Sequence, residues 1–373
     1  MMATKFSSFG SAPVLLRPRN FQWYWNSTQG SRSTEEWQKY SNVENEIIED
    51  ALNANKVEVE IDGGYLINIK YQVQYTKYDH KKQHSIKRRQ LSKDSSAARL
   101  REERFAVPMS LATNTVFHAE TQSVDELDRV RCWGDISRIY DCVENPCPRK
   151  KTVRHIVDEA VQGMIKEGAA LNKEHEAQWL AQQLGSVKHY AENGTNVENL
   201  PAEIGDTLIH IYTRDSFWFK RINGVLREIE AITSEQLKDL GPFCYLLHQY
   251  LQCKKTLLDC FIVYRGLLLT DEQRQDFMKE KITFTSFTST SRNRDLAEIY
   301  GNTLLIIDLN PNLENLSDTT GRRCGIDITH VSQFTEEEEF LIWPNRNFDF
   351  VKYEYDRPNK KHIIYLHKSR HNW

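Results

Sequence analysis

Three polar motifs follow one another in the C-terminal half of the chain, and the first and the last of them border an apolar segment of strand length. They are Arg265-Gly266, then Ser289-Thr290-Ser291, and then Glu337 and Glu339 within a run of four glutamates. Apolar segments of about four to eight residues, bounded by polar residues, are typical of buried β-strands. The chain is therefore predicted to build a sheet that brings an arginine, a Ser-Thr-Ser strand and two carboxylates together.

These residue types suit the cleavage of NAD at its nicotinamide bond. Departure of nicotinamide leaves positive charge on the ribose, as in glycoside cleavage, where a carboxylate stabilises the developing oxocarbenium ion. Arg265 offers a charged fork of donors for phosphate oxygens, and Gly266 beside it allows a ligand to approach the backbone closely. Ser289 can hydrogen-bond both a ribose hydroxyl and a carboxylate, so it is predicted to orient the catalytic glutamate.

The two glutamates are predicted to divide the work between the cofactor and the acceptor. If a strand begins at Glu337, then Glu337 and Glu339 project to the same face, because side chains alternate along a strand. Two carboxylates that share one face repel each other, which raises the proton affinity of one of them. We expect Glu339 to hold the ribose and Glu337 to receive the nucleophile.

The arrangement resembles the R-S-E-x-E class of ADP-ribosyltransferases, and the resemblance covers about residues 152–373. By this match, Arg265 is the family arginine and Ser289 is the first serine of the Ser-Thr-Ser strand. Glu337 corresponds to the glutamate associated with arginine as the acceptor. Glu339 corresponds to the catalytic glutamate.

The resemblance implies an NAD-dependent mono-ADP-ribosyltransferase that modifies protein arginine and needs no metal, with NADP as a possible co-substrate. Phe334 matches the exposed aromatic residue of the turn that presents the acceptor. Residues 211–223 resemble the helical segment that precedes the catalytic sheet in eukaryotic members. Cofactor contacts are predicted for Arg265, Gly266, Ser289, Thr290, Ser291 and Glu339.

Other interpretations of the same motifs stay open. Four consecutive glutamates are usually a solvated acidic face, and a strand rich in serine and threonine usually lies at a surface or an edge. Water in place of arginine as the acceptor gives an NAD glycohydrolase. A fold that has lost turnover gives an ADP-ribose-binding scaffold, and release of nicotinamide from NAD distinguishes that scaffold from both enzymes.

The N-terminal part of the chain concentrates aromatic rings between residues 21 and 40. Ser41 and Glu44 form a capping-box pattern for a helix whose apolar positions recur at helical spacing. Apolar residues then alternate with glutamates over 57–61, and Asp62-Gly63-Gly64 turns this strand back into a second one. One helix against a small half-barrel of sheet is predicted.

This pattern resembles a WWE domain, a module that binds ADP-ribose or poly-ADP-ribose, over about residues 12–92. The resemblance implies a reader pocket in which aromatic rings stack on adenine while polar side chains bind its edge and the phosphates. Tyr65 and Gln74 differ in strand parity, so we expect a bend or bulge between them. The predicted reader residues are Trp25, Trp37, Tyr65, Gln74, His84 and Lys87.

Residues 93–151, between the two modules, are predicted to form an ordered connector of unknown role. The pattern then becomes helical, with an apolar stripe from Val153 to Ile165 and another around Trp179. Gly241-Pro242 is expected to separate two helices. The predicted fold class is α+β, with a small WWE half-barrel followed by a mixed α/β transferase fold that has a helical subdomain and a split β-sandwich.

Composition limits the partners and the location of the protein. A length of 373 residues supports two or more domains, and a formal net charge of −3 argues against specific nucleic-acid binding. The sequence shows no apolar run long enough for export or for a membrane span, so an intracellular protein, cytoplasmic or nuclear, is expected. Seven cysteines, an odd number, fit reduced thiols. Zinc is not predicted at the loosely spaced Cys132, Cys142, Cys147 and His155.

Overall fold

The chain forms a small sheet with one helix, then a layer of helices, and then a larger sheet. The computed structural model describes residues 21–28, 35–91, 111–112, 127, 130, 134–253, 262–310, 324–332 and 335–369. This combination of helices and sheets confirms the predicted α+β class. Among the described residues, no helix has both the length and the apolar character that a membrane crossing requires.

The described N-terminal residues form one helix and an antiparallel sheet. The elements are β1 (Phe21–Asn26), β2 (Trp37–Lys39), α1 (Asn42–Asn53), β3 (Glu58–Ile61), β4 (Tyr65–Asn68), β5 (Val73–Thr76) and β6 (Asp79–Gln90). The strand order is β2-β1-β6-β5-β4-β3. Ser41 and Glu44 make both hydrogen bonds of the predicted capping box at the start of α1. Val43 and Ile48 of this helix lie in the same buried cluster as Trp23 of β1.

A layer of helices follows in the sequence. The described helices are α2 (Ile136–Val143), α3 (Val153–Ala170), α4 (Glu174–Val187), α5 (Ala202–Thr213), α6 (Phe217–Arg227) and α7 (Ser234–Cys253), with 3-10 turns at Lys188–Tyr190, Val197–Asn199 and Ile229–Ala231. The apolar stripe predicted from Val153 onward lies on α3, where Val153, Ile156 and Ala160 are buried. Trp179 and Leu180 are likewise buried on α4, so both predicted stripes are confirmed.

The prediction that Gly241-Pro242 separates two helices is wrong, because α7 continues through this pair. Pro242 lacks the N–H that would bind the carbonyl of Lys238, and such a loss usually bends or ends a helix. In α7, however, every residue from Asp239 to His248 is buried. A Cβ on Gly241 would lie 2.8 Å from the Tyr140 ring of α2, so the neighbouring helix packs directly against the proline turn.

The larger sheet follows the helices. Its described strands are β7 (Leu111–Ala112), β8 (Ile262–Leu267), β9 (Lys281–Phe284), β10 (Thr288–Ser291), β11 (Thr303–Asp308), β12 (Gly325–Asp327), β13 (Glu339–Ile342), β14 (Arg346–Asp356) and β15 (Lys361–Lys368). They are connected in part by α8 (Asp271–Phe277), α9 (Arg294–Glu298) and a 3-10 turn at Thr335–Glu337. The strand order is β12-β13-β10-β8-β11-β15-β14-β9-β7.

This sheet is nearly divided between β10 and β8, which pair only where Ser291 lies opposite Tyr264 among the described residues. Buried side chains from both parts belong to one apolar cluster, which includes Phe340 on one side of the division and Val263 and Phe348 on the other. The two parts therefore share a core, in agreement with the predicted split β-sandwich.

Part of the segment predicted as a connector packs with the second half of the chain. Leu111 of β7 pairs with Phe284 of β9, so this short strand extends the larger sheet. On α2, Ser137 Oγ donates a hydrogen bond to the carbonyl of Cys244 over 3.2 Å. Residues 111–112 and 136–143 therefore contribute a strand and a helix to the transferase part.

The N-terminal domain docks on the helical layer through acidic side chains. Asp62, in the turn after β3, accepts hydrogen bonds from the backbone N–H groups of His175 over 2.8 Å and Glu176 over 3.2 Å. These groups open α4, whose own N-cap residue, Lys173, makes no side-chain cap. Because the first N–H groups of a helix have no partner within it, Asp62 caps α4 from the other domain.

Candidate functional site

Arg265 and Ser289 lie on opposite sides of the division in the larger sheet. Arg265 is on β8 and Ser289 is on β10, and both side chains are buried. Arg265 Nη1 donates a hydrogen bond to the backbone carbonyl of Ser289 over 2.6 Å. The guanidinium group therefore bridges the two parts of the sheet where their backbone pairing almost ends.

The three hydroxyls of the Ser-Thr-Ser strand have different surroundings. Thr290 Oγ1 donates to the carbonyl of Phe340 over 2.7 Å, and Ser291 Oγ donates to the carbonyl of Glu337 over 2.8 Å. Ser289 Oγ is buried and has no hydrogen-bond partner among the described residues. The strand is thus buried, unlike a surface strand. Its first hydroxyl is available to a ligand, whereas those of Thr290 and Ser291, both predicted to contact the cofactor, bind the protein.

Glu337 and Glu339 are both completely buried. Contrary to the prediction, they do not lie on one strand. Glu337 ends the 3-10 turn, and β13 begins only at Glu339. Between them, Glu338 has a φ of +46° and is half-exposed. A left-handed residue reverses the chain locally, so the two carboxylates are buried on either side of Glu338 without strand alternation. The alternative of a solvated acidic face is therefore wrong for this pair.

Residues after the Ser-Thr-Ser strand hold the left-handed turn. The backbone N–H of Arg292 donates to the carbonyl of Glu338 over 3.1 Å. Asn293 Nδ2 donates to Glu338 Oε1 over 3.3 Å, and Arg292 Nη1 lies 3.0 Å from Asp327 Oδ2 on β12. A non-glycine residue in this conformation costs about 1–2 kcal/mol, which these contacts offset.

Ser332, which the sequence did not indicate, holds the predicted catalytic carboxylate. Ser332 Oγ donates a hydrogen bond to Glu339 Oε2 over 2.7 Å. The sequence had predicted this orienting contact for Ser289, whose hydroxyl makes no such bond. Ser332 precedes Glu339 by seven residues and belongs to no strand or helix, so no periodic pattern singles it out.

Tyr212 extends the site into the helical layer. Its hydroxyl lies 3.3 Å from the carbonyl of Phe287, just before β10, and accepts a hydrogen bond from Asn223 Nδ2 over 3.1 Å. Burial raises the pKa of Tyr212, and the nearby charge of Glu339 adds to this effect. The phenol therefore stays neutral, and the segment 211–223, predicted to precede the catalytic sheet, contacts the start of the Ser-Thr-Ser strand.

Gly266, predicted to let a ligand approach the backbone, is required for packing within the protein. A Cβ at this position would lie 2.2 Å from the carbonyl oxygen of Ala297 and 2.6 Å from that of Tyr300. The glycine thus allows the end of α9 to lie against β8. Phe334, the predicted acceptor-turn residue, lies outside the described residues.

Three of the predicted reader residues lie side by side on the inner face of the N-terminal sheet. Trp25 is opposite Ile86, which shares a face with His84, and His84 is opposite Gln74. The rings of Trp25 and His84 meet edge to face with centroids 5.6 Å apart. Gln74 Oε1 accepts a hydrogen bond from the hydroxyl of Tyr40 over 2.6 Å, which fixes the amide.

Tyr65 shares a face with Gln74, and the bulge expected between them is not needed. Tyr65 lies opposite Thr76, and Ile67 lies opposite Gln74. Residues that face each other in an antiparallel pair point to the same side, so parity along the sequence does not decide the face across two strands. The register shift near Gln74 affects the pairing of β5 with β6 instead.

The backbone positions of Trp37 and Lys87 belong to the opposite face of this sheet. Trp37 is opposite Asn26 and Lys87 is opposite Tyr24, both of which alternate with Trp25 along β1. Lys87 Nζ lies 3.3 Å from the centroid of the Trp37 ring, a cation–π contact. The structure therefore pairs Trp37 with Lys87 and separates their backbone positions from those of Trp25, His84 and Gln74.

Several solved structures are similar to this chain. The type III effector XopAI of Xanthomonas axonopodis pv. citri is 14% identical with a TM-score of 0.43, and the match covers 67% of this chain and 95% of that one. The eukaryotic mono-ADP-ribosyltransferase ART2.2 is 19% identical with a TM-score of 0.38, over 59% of this chain and 88% of that one. Exoenzyme S of Pseudomonas aeruginosa, solved with carba-NAD, is 15% identical with a TM-score of 0.37, over 57% and 88%.

Family comparison matches both parts of the chain. Residues 21–88 match the WWE domain, and residues 152–372 match NAD:arginine ADP-ribosyltransferase. Comparison with curated proteins gives no match. Since the transferase match spans more than half of the 373 residues, the chain belongs to the NAD:arginine ADP-ribosyltransferase family and carries a WWE domain before its transferase domain.

Proposed function

We propose that the protein transfers a single ADP-ribose unit from NAD to arginine side chains of other proteins and releases nicotinamide. The observation that carries this proposal is the burial of two carboxylates, Glu337 and Glu339, around the half-exposed Glu338. Burying two acids that lie two positions apart in the sequence is costly. Such burial is expected at sites where charged groups take part in the chemistry. The family match supports the transferase chemistry.

Glu339 is assigned to the ribose. As nicotinamide leaves, positive charge develops on the ribose, and a fixed carboxylate stabilises that charge without reorganising. The buried hydroxyl of Ser289, which has no partner among the described residues, suits a ribose hydroxyl. Arg265 adds a permanent positive charge beside Ser289, which suits the phosphates of NAD or NADP.

Glu337 is assigned to the acceptor. A guanidinium group is protonated at physiological pH and is then a poor nucleophile, so it needs an anion that orients it and takes up its proton. Glu337 supplies that anion at the 3-10 turn, directly before Glu338. Water needs less help, and for this reason NAD glycohydrolysis remains the main competing activity.

The WWE domain is assigned to ADP-ribose or poly-ADP-ribose. Trp25, His84 and Gln74 form a row of two rings and an amide on one face, with the exposed ring of Tyr65 on the same face. Such a row suits adenine stacking and hydrogen bonding to its edge. A cytoplasmic or nuclear location is part of the proposal, supported by the odd number of cysteines.

The activity is tested by incubating the purified 373-residue protein with NAD and agmatine, an arginine analogue. Mass spectrometry should detect both free nicotinamide and ADP-ribosylated agmatine, and arginine-linked ADP-ribose on proteins of an added lysate. Nicotinamide with free ADP-ribose alone would identify a glycohydrolase. ADP-ribose on residues other than arginine would show that the acceptor is a different residue type. The absence of released nicotinamide would favour the alternative of an ADP-ribose-binding scaffold.

A further inference from the structure

Ser332 and Glu339 form a buried hydrogen-bonded pair within the candidate site. Ser332 Oγ donates to Glu339 Oε2 over 2.7 Å, and the two residues are 4% and 0% exposed. A hydrogen bond from a fixed hydroxyl to one carboxylate oxygen restricts rotation of the whole carboxyl group. The pair therefore determines how Glu339 presents itself to a ligand.

The segment around Ser332 is anchored on two sides. The backbone N–H of Ser332 donates to the carbonyl of Ile328 over 2.7 Å, and the N–H of Ile328 donates to the carbonyl of Glu339 over 2.9 Å. On the other side, His210 of α5 lies with Nδ1 3.1 Å from the carbonyl of Val331. The hydroxyl of Ser332 is thus fixed by β13 and by the helical layer before any ligand binds.

Ser289 has the complementary property. It is 2% exposed, and its hydroxyl makes no hydrogen bond to any described residue. A buried hydroxyl without a partner destabilises the protein, and this cost is recovered when a ligand supplies the partner. The two serines therefore differ in what they can bind, although both are buried near the same motif.

We propose that Ser332 is the positioning residue that orients Glu339, and that Ser289 is thereby left to bind the ribose of the substrate. This inference rests on the proposed transferase function and divides a task that the sequence had given to Ser289 alone. Ser332 acts through Glu339 and not on the substrate. Losing it should slow the chemical step while leaving the affinity for NAD almost unchanged.

Steady-state kinetics of nicotinamide release test this division. Ser332→Ala should lower kcat by about 10- to 100-fold, the usual cost of misplacing a catalytic group, with KM for NAD changed less than about 2-fold. Ser332→Thr keeps the hydroxyl and should recover most of kcat. Ser289→Ala should instead raise KM. Ser137→Ala is the matched control, since this buried serine donates to the carbonyl of Cys244 in the helical layer.

Normal kcat in Ser332→Ala, or a change in KM alone, would overturn the proposal. Thermal unfolding of all variants checks that they fold. If the wild-type protein releases no nicotinamide, the proposed function fails. Crystal structures of Ser332→Ala and Ser289→Ala then still show whether Ser332 positions the Glu339 carboxylate. The Glu339 carboxylate should rotate in the first variant and stay in place in the second. An unmoved Glu339 in Ser332→Ala would refute the positioning role.

Discussion

Asp50 on α1 accepts a hydrogen bond from the indole N–H of Trp179 on α4 over 2.8 Å, across the boundary between the WWE domain and the transferase helices. Next to this contact, the guanidinium carbon of Arg214 lies 4.8 Å from the centroid of the Trp179 ring. Arg214 is 2% exposed, and its Nη1 lies 3.6 Å from Glu46 Oε1 on α1. The transferase part thus buries a positive charge whose counter-charge comes from the WWE domain.

Removing that counter-charge should destabilise the protein. Glu46→Gln leaves Arg214 buried without this anion, and breaking a buried pair on one side costs up to about 3–5 kcal/mol. Because Glu46 is partly exposed, we expect about 2 kcal/mol, measured by urea unfolding of the full chain. The control is Glu354→Gln, which breaks the exposed pair with Lys352 and should change the free energy of unfolding far less, because water screens an exposed ion pair. Equal losses in the two variants would contradict the structural role of Arg214.

The stability of the protein is expected to depend on pH through Glu176, whose backbone N–H donates a hydrogen bond to Asp62. Burial raises the pKa of Glu176 from its ordinary value of 4.5 to about 7. Between these two pH values the folded protein holds a proton that the unfolded chain has released, so this carboxyl makes the protein less stable as pH rises. Glu176→Gln removes the titration, and its amide oxygen can still accept from the N–H of Phe217.

Urea unfolding at pH 5 and pH 8 measures this effect. The free energy of unfolding of Glu176→Gln, minus that of the wild type, should increase by about 2–3 kcal/mol from pH 5 to pH 8, because one pKa unit corresponds to about 1.4 kcal/mol. Other titrating groups cancel in the difference. A difference that stays constant with pH would show that Glu176 does not titrate in this range.

Glu339→Gln should lower the rate of nicotinamide release by about 10²- to 10³-fold, the usual cost of losing one preorganised electrostatic group. The amide keeps the shape and can still accept the hydrogen bond of Ser332. The exposed Glu280→Gln, in the same domain, serves as the control and should retain full activity. Near-normal release of nicotinamide by Glu339→Gln would show that Glu339 does not stabilise the charge on the ribose.

Glu337→Gln should separate transfer from hydrolysis. Without the anion that takes up the guanidinium proton, ADP-ribosylation of agmatine should be lost, while slow release of nicotinamide to water should continue. Both products can be quantified in one incubation with labelled NAD. Full transfer to agmatine by this variant would show that another group activates the acceptor.

Tyr65→Ala should weaken ADP-ribose binding by the 373-residue protein. Losing one stacked ring removes about 1 kcal/mol, or roughly a 5-fold loss of affinity in calorimetry. Tyr65 is exposed, so the substitution should not disturb the fold. Tyr71→Ala removes another exposed ring, in the turn that follows β4, and this variant should bind ADP-ribose normally. If the wild-type protein binds no ADP-ribose compound at millimolar concentration, the WWE domain has a structural role instead.

Local patterns predicted much of the fold because they depend on neighbouring residues. Alternation predicted β3, the Asp62-Gly63-Gly64 turn predicted β4, and the capping box predicted α1. The Gly241-Pro242 pair misled the prediction because burial along α7 outweighs the local preference of proline. The left-handed Glu338 also has no sequence signal, so a strand was predicted to begin at Glu337, where the chain instead ends a 3-10 turn.

The parts of the site that were not predicted depend on contacts between distant residues. Asp62 caps α4 through residues 113 and 114 positions away, and no spacing rule connects them. The Ser332 hydroxyl reaches Glu339 from a position outside any helix or strand. Tyr212 touches the start of the Ser-Thr-Ser strand across 75 positions. Such contacts follow from how the helical layer packs against the two sheets, which composition and periodicity do not specify.

The docking of the WWE domain fixes the distance between this domain and the candidate site of the transferase domain. Asp62 and Glu46 fix this domain directly on α4 and beside Arg214, so the distance between Tyr65 and Glu339 is set by packed elements and not by a flexible tether. If the WWE domain binds ADP-ribose on a target, as proposed, the enzyme would select acceptors by their distance from that first ADP-ribose. The spacing of modified residues on a target surface would then reflect the fixed distance between Tyr65 and Glu339 in the enzyme.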